Sequence, residues 1–182
     1  MSPVGFDLDM TLINSRPAIL ASFAGVARDT STAIDLEAVD RRLGIKLDDE
    51  LAFWFPSDQV AAAAEIYRRH YLQLAEELTT LLPGAHEALA AVRAAGERVV
   101  IITAKHPISV RPSLRAVGLT ADALFTLVHG PEKAAVLRTV QAGVRAVGVT
   151  TGSFSGHDLT GAGAEVIFDS LASFPDWYRS AF

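Results

Sequence analysis

Two aspartates two residues apart, Asp7 and Asp9, close an apolar run near the N-terminus, Val4-Gly5-Phe6-Asp7-Leu8-Asp9. Val4, Phe6 and Leu8 alternate with Gly5, Asp7 and Asp9, a period of two that predicts a strand. Residues i and i+2 of a pleated strand share a face, so both carboxylates leave on one side. Like charges this near repel unless a cation or a shared proton relieves them. Mg²⁺ is such a cation, since it takes one or two carboxylates together with substrate phosphate. In open α/β sheets ligands gather beyond the carboxyl ends of the strands, where these aspartates fall. The spacing leaves a second reading open, a strand end with Asp9 as a turn or helix cap.

Two further positions could take part. Thr103 ends the apolar run Val99-Val100-Ile101-Ile102 and is followed by Ala104, Lys105 and His106. By itself Thr103 reads as an ordinary β-branched strand residue; the sequence assigns Lys105 and His106 no role. Lys133, in Gly130-Pro131-Glu132-Lys133, stands at the start of a helical pattern. A cation there opposes the helix dipole. Reaching back to neutralise Asp7 and a bound anion would offset that cost, whereas a solvated surface lysine would not.

The elements that must position these residues follow from periodicity. Ser15 and Pro17 open a helix carrying Ile19, Phe23 and Val26 on one face. A second begins at Asp35 and stops at Gly44. The apolar segment Leu51–Phe55 precedes the most regular helix, opened by Ser57, with Val60, Ala64, Tyr67, Tyr71, Leu74 and Leu78 as its stripe. From Pro83 the pattern becomes βαβ: a helix over 85–95, the Val99–Ile102 strand, a helix ending at Gly118, and a strand over 124–128. A helix from Pro131 to Val140 and strands at 145–149 and 165–168 complete it. Uninterrupted apolar strands are buried on both faces, as in a parallel sheet. Trp177 and Tyr178 suit packing of the last helix.

Composition narrows the function classes. The 182 residues are 50% hydrophobic with a formal net charge of -5 and no cysteine. That fits one core plus an inserted module and excludes thiolate chemistry and disulfides. The scattered basic residues argue against nucleic acid as a partner. No apolar run is long enough to span a bilayer, and the acidic N-terminus is unlike a signal peptide, so a cytoplasmic protein is expected.

Asp7-x-Asp9-x-Thr11 after an apolar first strand resembles the nucleophile motif of the haloacid dehalogenase-like (HAD) hydrolases, and Leu82-Pro83-Gly84, Ile101-Ile102-Thr103, Lys133 and the Gly148–Gly152 strand extend the resemblance over nearly the whole chain. The segment Val149–Leu159 with Gly163–Ile167 is similar to phosphoglycolate phosphatase-like members. The resemblance implies an α/β fold, a Rossmann-like parallel sheet with helices on both faces, made by residues 1–14 and 82–182. Residues 15–81 would be an inserted all-helical cap, with the Gly44–Leu47 turn as a substrate contact.

It further implies a Mg²⁺-dependent phosphatase, monomeric or homodimeric, acting on a small phosphorylated metabolite; a phosphomutase is the alternative within the fold. Asp7 would be the nucleophile, Asp9 the general acid and base, and both would hold the metal. Thr103, Ala104 and Lys133 would bind the phosphoryl group.

The chain departs from the family pattern at one place. HAD phosphatases carry an acidic Gly-Asp-x-x-x-Asp loop after a further strand, yet no Asp or Glu lies between Glu132 and Asp158. A strand, loop and helix need about 20 residues. Either a stretch near residues 140–143 is missing from the sequence as written or the chain lacks it. In the second case a catalytically impaired relative, binding phosphate or a partner protein, becomes the rival reading. Asp158 and Asp169 are the later acids that could substitute, though turn and cap roles suit both.

Overall fold

The computed structural model describes residues 3–129 and 145–181. Lys133, the helix expected from Pro131 and the junction at 140–143 lie outside the described residues. The chain divides into two compact units, one of residues 1–14, 81–105 and 119–182, the other of residues 15–80 and 106–118.

The first unit is built on a parallel sheet. Strand β1 (Pro3–Phe6) pairs with β4 (Arg98–Ile102) from Pro3 opposite Arg98 to Phe6 opposite Ile101. On its other side β4 pairs with β5 (Ala123–Phe125), so β4 is central. Val99, Val100, Ile101 and Ile102 are all buried, as an uninterrupted β-branched run requires. Two-residue strands β2 (Ile13–Asn14) and β3 (Thr80–Leu81) carry the chain out of and back to this unit.

Helix α5 (Ala85–Ala94) lays Ala85, Ala88, Leu89 and Val92 against β4. It also packs on the C-terminal helix, Phe174–Ala181. A second parallel pair joins β6 (Val147–Val149) to β7 (Val166–Phe168). Between them lies the short helix α7 (Gly156–Gly161). Among the described residues no strand joins this pair to the β1–β4–β5 sheet.

Helix α8 (Phe174–Ala181) closes the unit through aromatic packing. Phe174 meets Phe6 edge-on at 5.5 Å and stacks on Tyr178 at 5.3 Å. Burial pushes the Tyr178 hydroxyl above its usual range, because the apolar surround disfavours the phenolate. Ser170 Oγ accepts from Ala172 N at 3.3 Å and caps the 3₁₀ turn Leu171–Ser173 that leads into this helix; Asp169, expected to cap the helix, is exposed.

The second unit is helical. Helix α1 (Arg16–Thr30) packs along α4 (Val60–Leu78). Phe23, Val26, Tyr67 and Tyr71 are buried between them. Gly25 permits the approach, since a Cβ there would lie 2.5 Å from the His70 ring. Asp35 caps α2 (Leu36–Arg41), accepting from Glu37 N and Ala38 N. That helix ends short of the expected Gly44.

Residues 47–51, which show no clear period, form α3 (Leu47–Leu51), with Asp48, Asp49 and Glu50 in its first turn, favourable to the dipole. Glu50 is buried and takes both Nε (2.8 Å) and Nη2 (2.6 Å) of Arg42, plus Trp54 Nε1 at 2.9 Å. The carboxylate in turn raises the Arg42 pKa.

The unit also takes in α6 (Pro107–Val117), a helix the sequence pattern groups with the sheet. Ser113 Oγ donates to Ser109 O at 2.9 Å and accepts from Tyr71 Oη at 3.0 Å, both buried. Arg115 reaches Glu76 at 2.7 Å. These ties to α4 bind α6 into the helical unit, and no periodicity in the sequence encodes them.

Gly84 offers a clean test of the first unit's packing. Its φ is +82°, and a Cβ would fall 2.2 Å from the Ala172 backbone nitrogen. Gly84→Ala is expected to cost about 1–3 kcal/mol of stability, read as a lower urea midpoint at unchanged slope.

Candidate active site

Hydrogen-bonded pairing of β1 ends at Phe6, but burial continues to alternate beyond it. Phe6 and Leu8 are buried while Asp7 and Asp9 are partly exposed. Leu8 is the anchor. Its side chain is fully buried, and its carbonyl accepts from the amides of Thr11 (3.3 Å), Leu12 (2.9 Å) and Ile13 (3.1 Å). Met10 takes a φ of +59° to make this turn, and its amide donates to Ile13 O at 2.8 Å. Asp7 and Asp9 therefore flank a residue locked into the core, at the carboxyl end of a parallel strand. Asp9 belongs to the turn, where it bridges to Ile13.

The segment after β4 approaches the same place. Thr103 is 1% exposed, and its Oγ1 accepts from Lys105 N at 3.1 Å. The chain beyond β5 turns back to hold it: Val128 N donates to Thr103 O at 3.0 Å and Leu127 N to Lys105 O at 3.3 Å. Leu127 adopts a φ of +60° there, so the strand expected over 124–128 gives way to a turn after Phe125. Ala104, between the two held residues, is partly buried.

From this fixed backbone the Lys105 side chain, 8% exposed, places Nζ 2.7 Å from Asp9 Oδ1. A lysine is rarely buried to this degree unless paired. Lys105 is thus a functional candidate that no sequence pattern assigns a role. Its signal was its place, two residues past Thr103 at the sheet edge shared with Asp7. Its partner is set by the turns after β4 and β5, which no periodicity records. His106 has a local task, its Nδ1 accepting from Ile108 N at 3.3 Å to cap α6.

The far side of the Asp9 turn is held from β6. The Thr151 hydroxyl donates to the Met10 carbonyl, and a Cβ on Gly152 would lie 3.5 Å from Met10 Cβ. Asp158 is engaged elsewhere, in a capping box with Ser155 that holds its carboxyl below the usual range through the Ser155 hydroxyl. Asp169 is exposed. Of the residues the sequence nominates, Asp7 and Asp9 stand at the end of β1 and Thr103 and Ala104 follow β4, from which Lys105 reaches Asp9; Lys133 lies outside the described residues.

A family model for haloacid dehalogenase-like hydrolases matches residues 4–151, a span that includes this site. The chain belongs to that family. A "Probable phosphatase IndB" of Dickeya dadantii is 26% identical over 204 positions, covering 92% of this chain and 89% of the relative. Since 92% of 182 residues is about 167, about 37 of those 204 positions are carried by the relative alone.

Two solved structures share the fold at low identity. A haloacid dehalogenase-like family hydrolase from Streptococcus pneumoniae has a TM-score of 0.82 at 17% identity, covering 98% of each chain. A predicted phosphoglycolate phosphatase from Haemophilus somnus has a TM-score of 0.77 at 18% identity, covering 97% of each.

The donor chemistry at the site of this HAD hydrolase suits a hard divalent cation. Asp7 and Asp9 offer carboxylate oxygens, and such ions accept one or two carboxylates completed by water and substrate. Among the described residues no group of three or more His, Cys, Asp or Glu side chains is placed to hold a metal.

Thr103→Val leaves the Lys105 amide without its acceptor in a buried turn. The expected cost is about 1–3 kcal/mol, with Thr103→Ser near wild type, both measured by urea unfolding.

Proposed function

We propose that this HAD hydrolase is a phosphatase acting on a small phosphorylated metabolite through Asp7. The observation that carries the reading is the Asp9 carboxylate, set two residues beyond Asp7 at the carboxyl end of a parallel strand and gripped by a buried ammonium. The phosphatase name of the IndB relative supports the reaction class.

In the first step an Asp7 carboxylate oxygen attacks phosphorus, and the bond from phosphorus to the leaving oxygen breaks. Asp9 donates a proton to that oxygen, so the substrate departs as an alcohol. In the second, water attacks the aspartyl-phosphate, Asp9 takes the proton back, and the bond from phosphorus to Asp7 breaks to release phosphate. Splitting one displacement into two lowers each barrier. A positioned acid and base contributes about 10²–10⁴-fold.

The Thr103 hydroxyl and the Ala104 amide would hold phosphoryl oxygens, with Lys133 as a further cation toward Asp7. Mg²⁺ held by Asp7 and Asp9 would supply charge neutralisation at the transferring group. The helical unit would serve as the cap, excluding water until closure. A soluble cytoplasmic enzyme, monomeric or homodimeric, fits the reading; no described helix is long and apolar enough to cross a membrane.

One observation favours a second reading. The sequence holds no acid between Glu132 and Asp158, while about 37 positions belong to the relative alone, room enough for a strand and an acidic loop. A chain without them would bind phosphate or a protein partner with impaired turnover.

Hydrolysis of p-nitrophenyl phosphate separates the two. The phosphatase reading expects release of p-nitrophenol with Mg²⁺, loss of rate in EDTA, and a fall of about 10³-fold or more in Asp7→Asn. Equal rates in all three conditions would leave the non-catalytic reading standing.

A further inference from the structure

The turn that carries Asp9 is fastened from two sides. Met10 stands between Asp9 and Thr11 at a φ of +59°, a conformation disfavoured for any residue with a Cβ. The peptide joining Met10 to Thr11 is fixed at both poles. Its N–H donates to the Leu8 carbonyl at 3.3 Å, and its C=O accepts from the Thr151 hydroxyl. The preceding peptide, joining Asp9 to Met10, donates its N–H to Ile13 O at 2.8 Å.

Leu8 and Ile13 are close neighbours of Asp9 in the chain, but Thr151 comes from the second strand pair. Thr150 N donates to Phe168 O at 3.0 Å, which continues the β6–β7 hydrogen bonding past Val149 and sets the backbone of the next residue. A β-branched side chain is stiff at χ1, so the Thr151 hydroxyl takes its direction from that backbone. Among the described residues no strand joins β6–β7 to the β1–β4–β5 sheet. The hydroxyl therefore links two sheets that share no described ladder, and it does so at the peptide adjoining Asp9.

We propose that Thr151 is a positioning residue of this site, whose hydroxyl holds the Met10 carbonyl and so sets the direction in which Asp9 leaves the turn. The residue touches neither substrate nor the reacting atoms; it acts through the backbone on either side of Met10. The kinetic consequence rests on the phosphatase reading above. The local anchoring of the turn does not. A tie that served stability alone would, when cut, lower the unfolding midpoint and leave turnover per folded molecule unchanged. A positioning tie lowers kcat, because misplacing a catalytic group by about 1 Å costs about 10²-fold. KM is spared, since on the same reading the phosphoryl oxygens are held by Thr103 and Ala104, beyond β4.

The test compares wild type with Thr151→Val, Thr151→Ala and Thr151→Ser. Each is assayed on p-nitrophenyl phosphate with Mg²⁺ at a temperature where urea unfolding shows it folded. The two variants without a hydroxyl are expected to lose about 10–100-fold in kcat with KM little changed, and Thr151→Ser should recover most of the loss. Amide hydrogen exchange gives a second readout independent of turnover. Thr11, Leu12 and Ile13, whose amides rest on Leu8 O, should exchange about five-fold faster without the hydroxyl, with the amides of β4 unchanged.

Wild-type kcat in either hydroxyl-free variant overturns the proposal, as does a loss that Thr151→Ser fails to restore. Failure of both hydroxyl-free variants to fold also overturns it, because the hydroxyl would then be a structural tie. A wild-type chain inert toward p-nitrophenyl phosphate would remove the phosphatase reading instead. The exchange of Thr11, Leu12 and Ile13 would still decide whether Thr151 holds the Asp9 turn.

Discussion

The contact between the Lys105 ammonium and the Asp9 carboxylate is the constraint around which the first unit makes sense. Ion pairs at exposed surfaces contribute little, because water screens them and long side chains pay entropy to meet. This one is different in position: the lysine is nearly buried and the aspartate mostly so. An ammonium withdrawn from water is tolerated only with a charged, hydrogen-bonded partner. The pair therefore ties the loop after β4 to the turn after β1 in a way that neither strand ladder does.

Backbone geometry makes that contact affordable. Leu8 is sunk in the core and its carbonyl gathers three amides, which curls the chain so that Asp9 leaves the strand direction. Met10 and Leu127 both take positive φ, a conformation that costs a residue with a Cβ about 1–2 kcal/mol. Each sits beside a residue of the pair or its support. Strain of this kind persists where surrounding contacts over-determine it, and here Thr151 on Met10 and the Thr103–Val128 link supply them. The site is thus held from β1, β4, β5 and β6, all elements of one unit.

The helical unit follows a different logic. Its core is aromatic, with Phe23 4.9 Å from Tyr67 and Tyr67 6.0 Å from Tyr71. Two of its buried polar groups sit in networks, Glu50 with Arg42 and Trp54, and Tyr71 with Ser113. Both are satisfied networks, and such networks rigidify the core they sit in.

Much of this was legible in the residues. The period of two through Leu8, the uninterrupted run of β4, the Asp35 cap and the glycine at 84 are local signals, and each is written in side-chain chemistry that acts within a few residues. Family membership was legible for the same reason, since the Asp7–Thr11 motif and the strand ending at Thr103 are contiguous.

The partner of Lys105, the place of α6 in the helical unit and the early end of β5 were not legible. Each depends on atoms far apart in the chain meeting after folding: Asp9 with Lys105, Tyr71 with Ser113, Thr103 with Val128. Sequence determined which carboxylates are available and on which strand end they stand. Tertiary structure decided which cation reaches them, because turns with two positive φ angles, and not periodicity, aim the lysine.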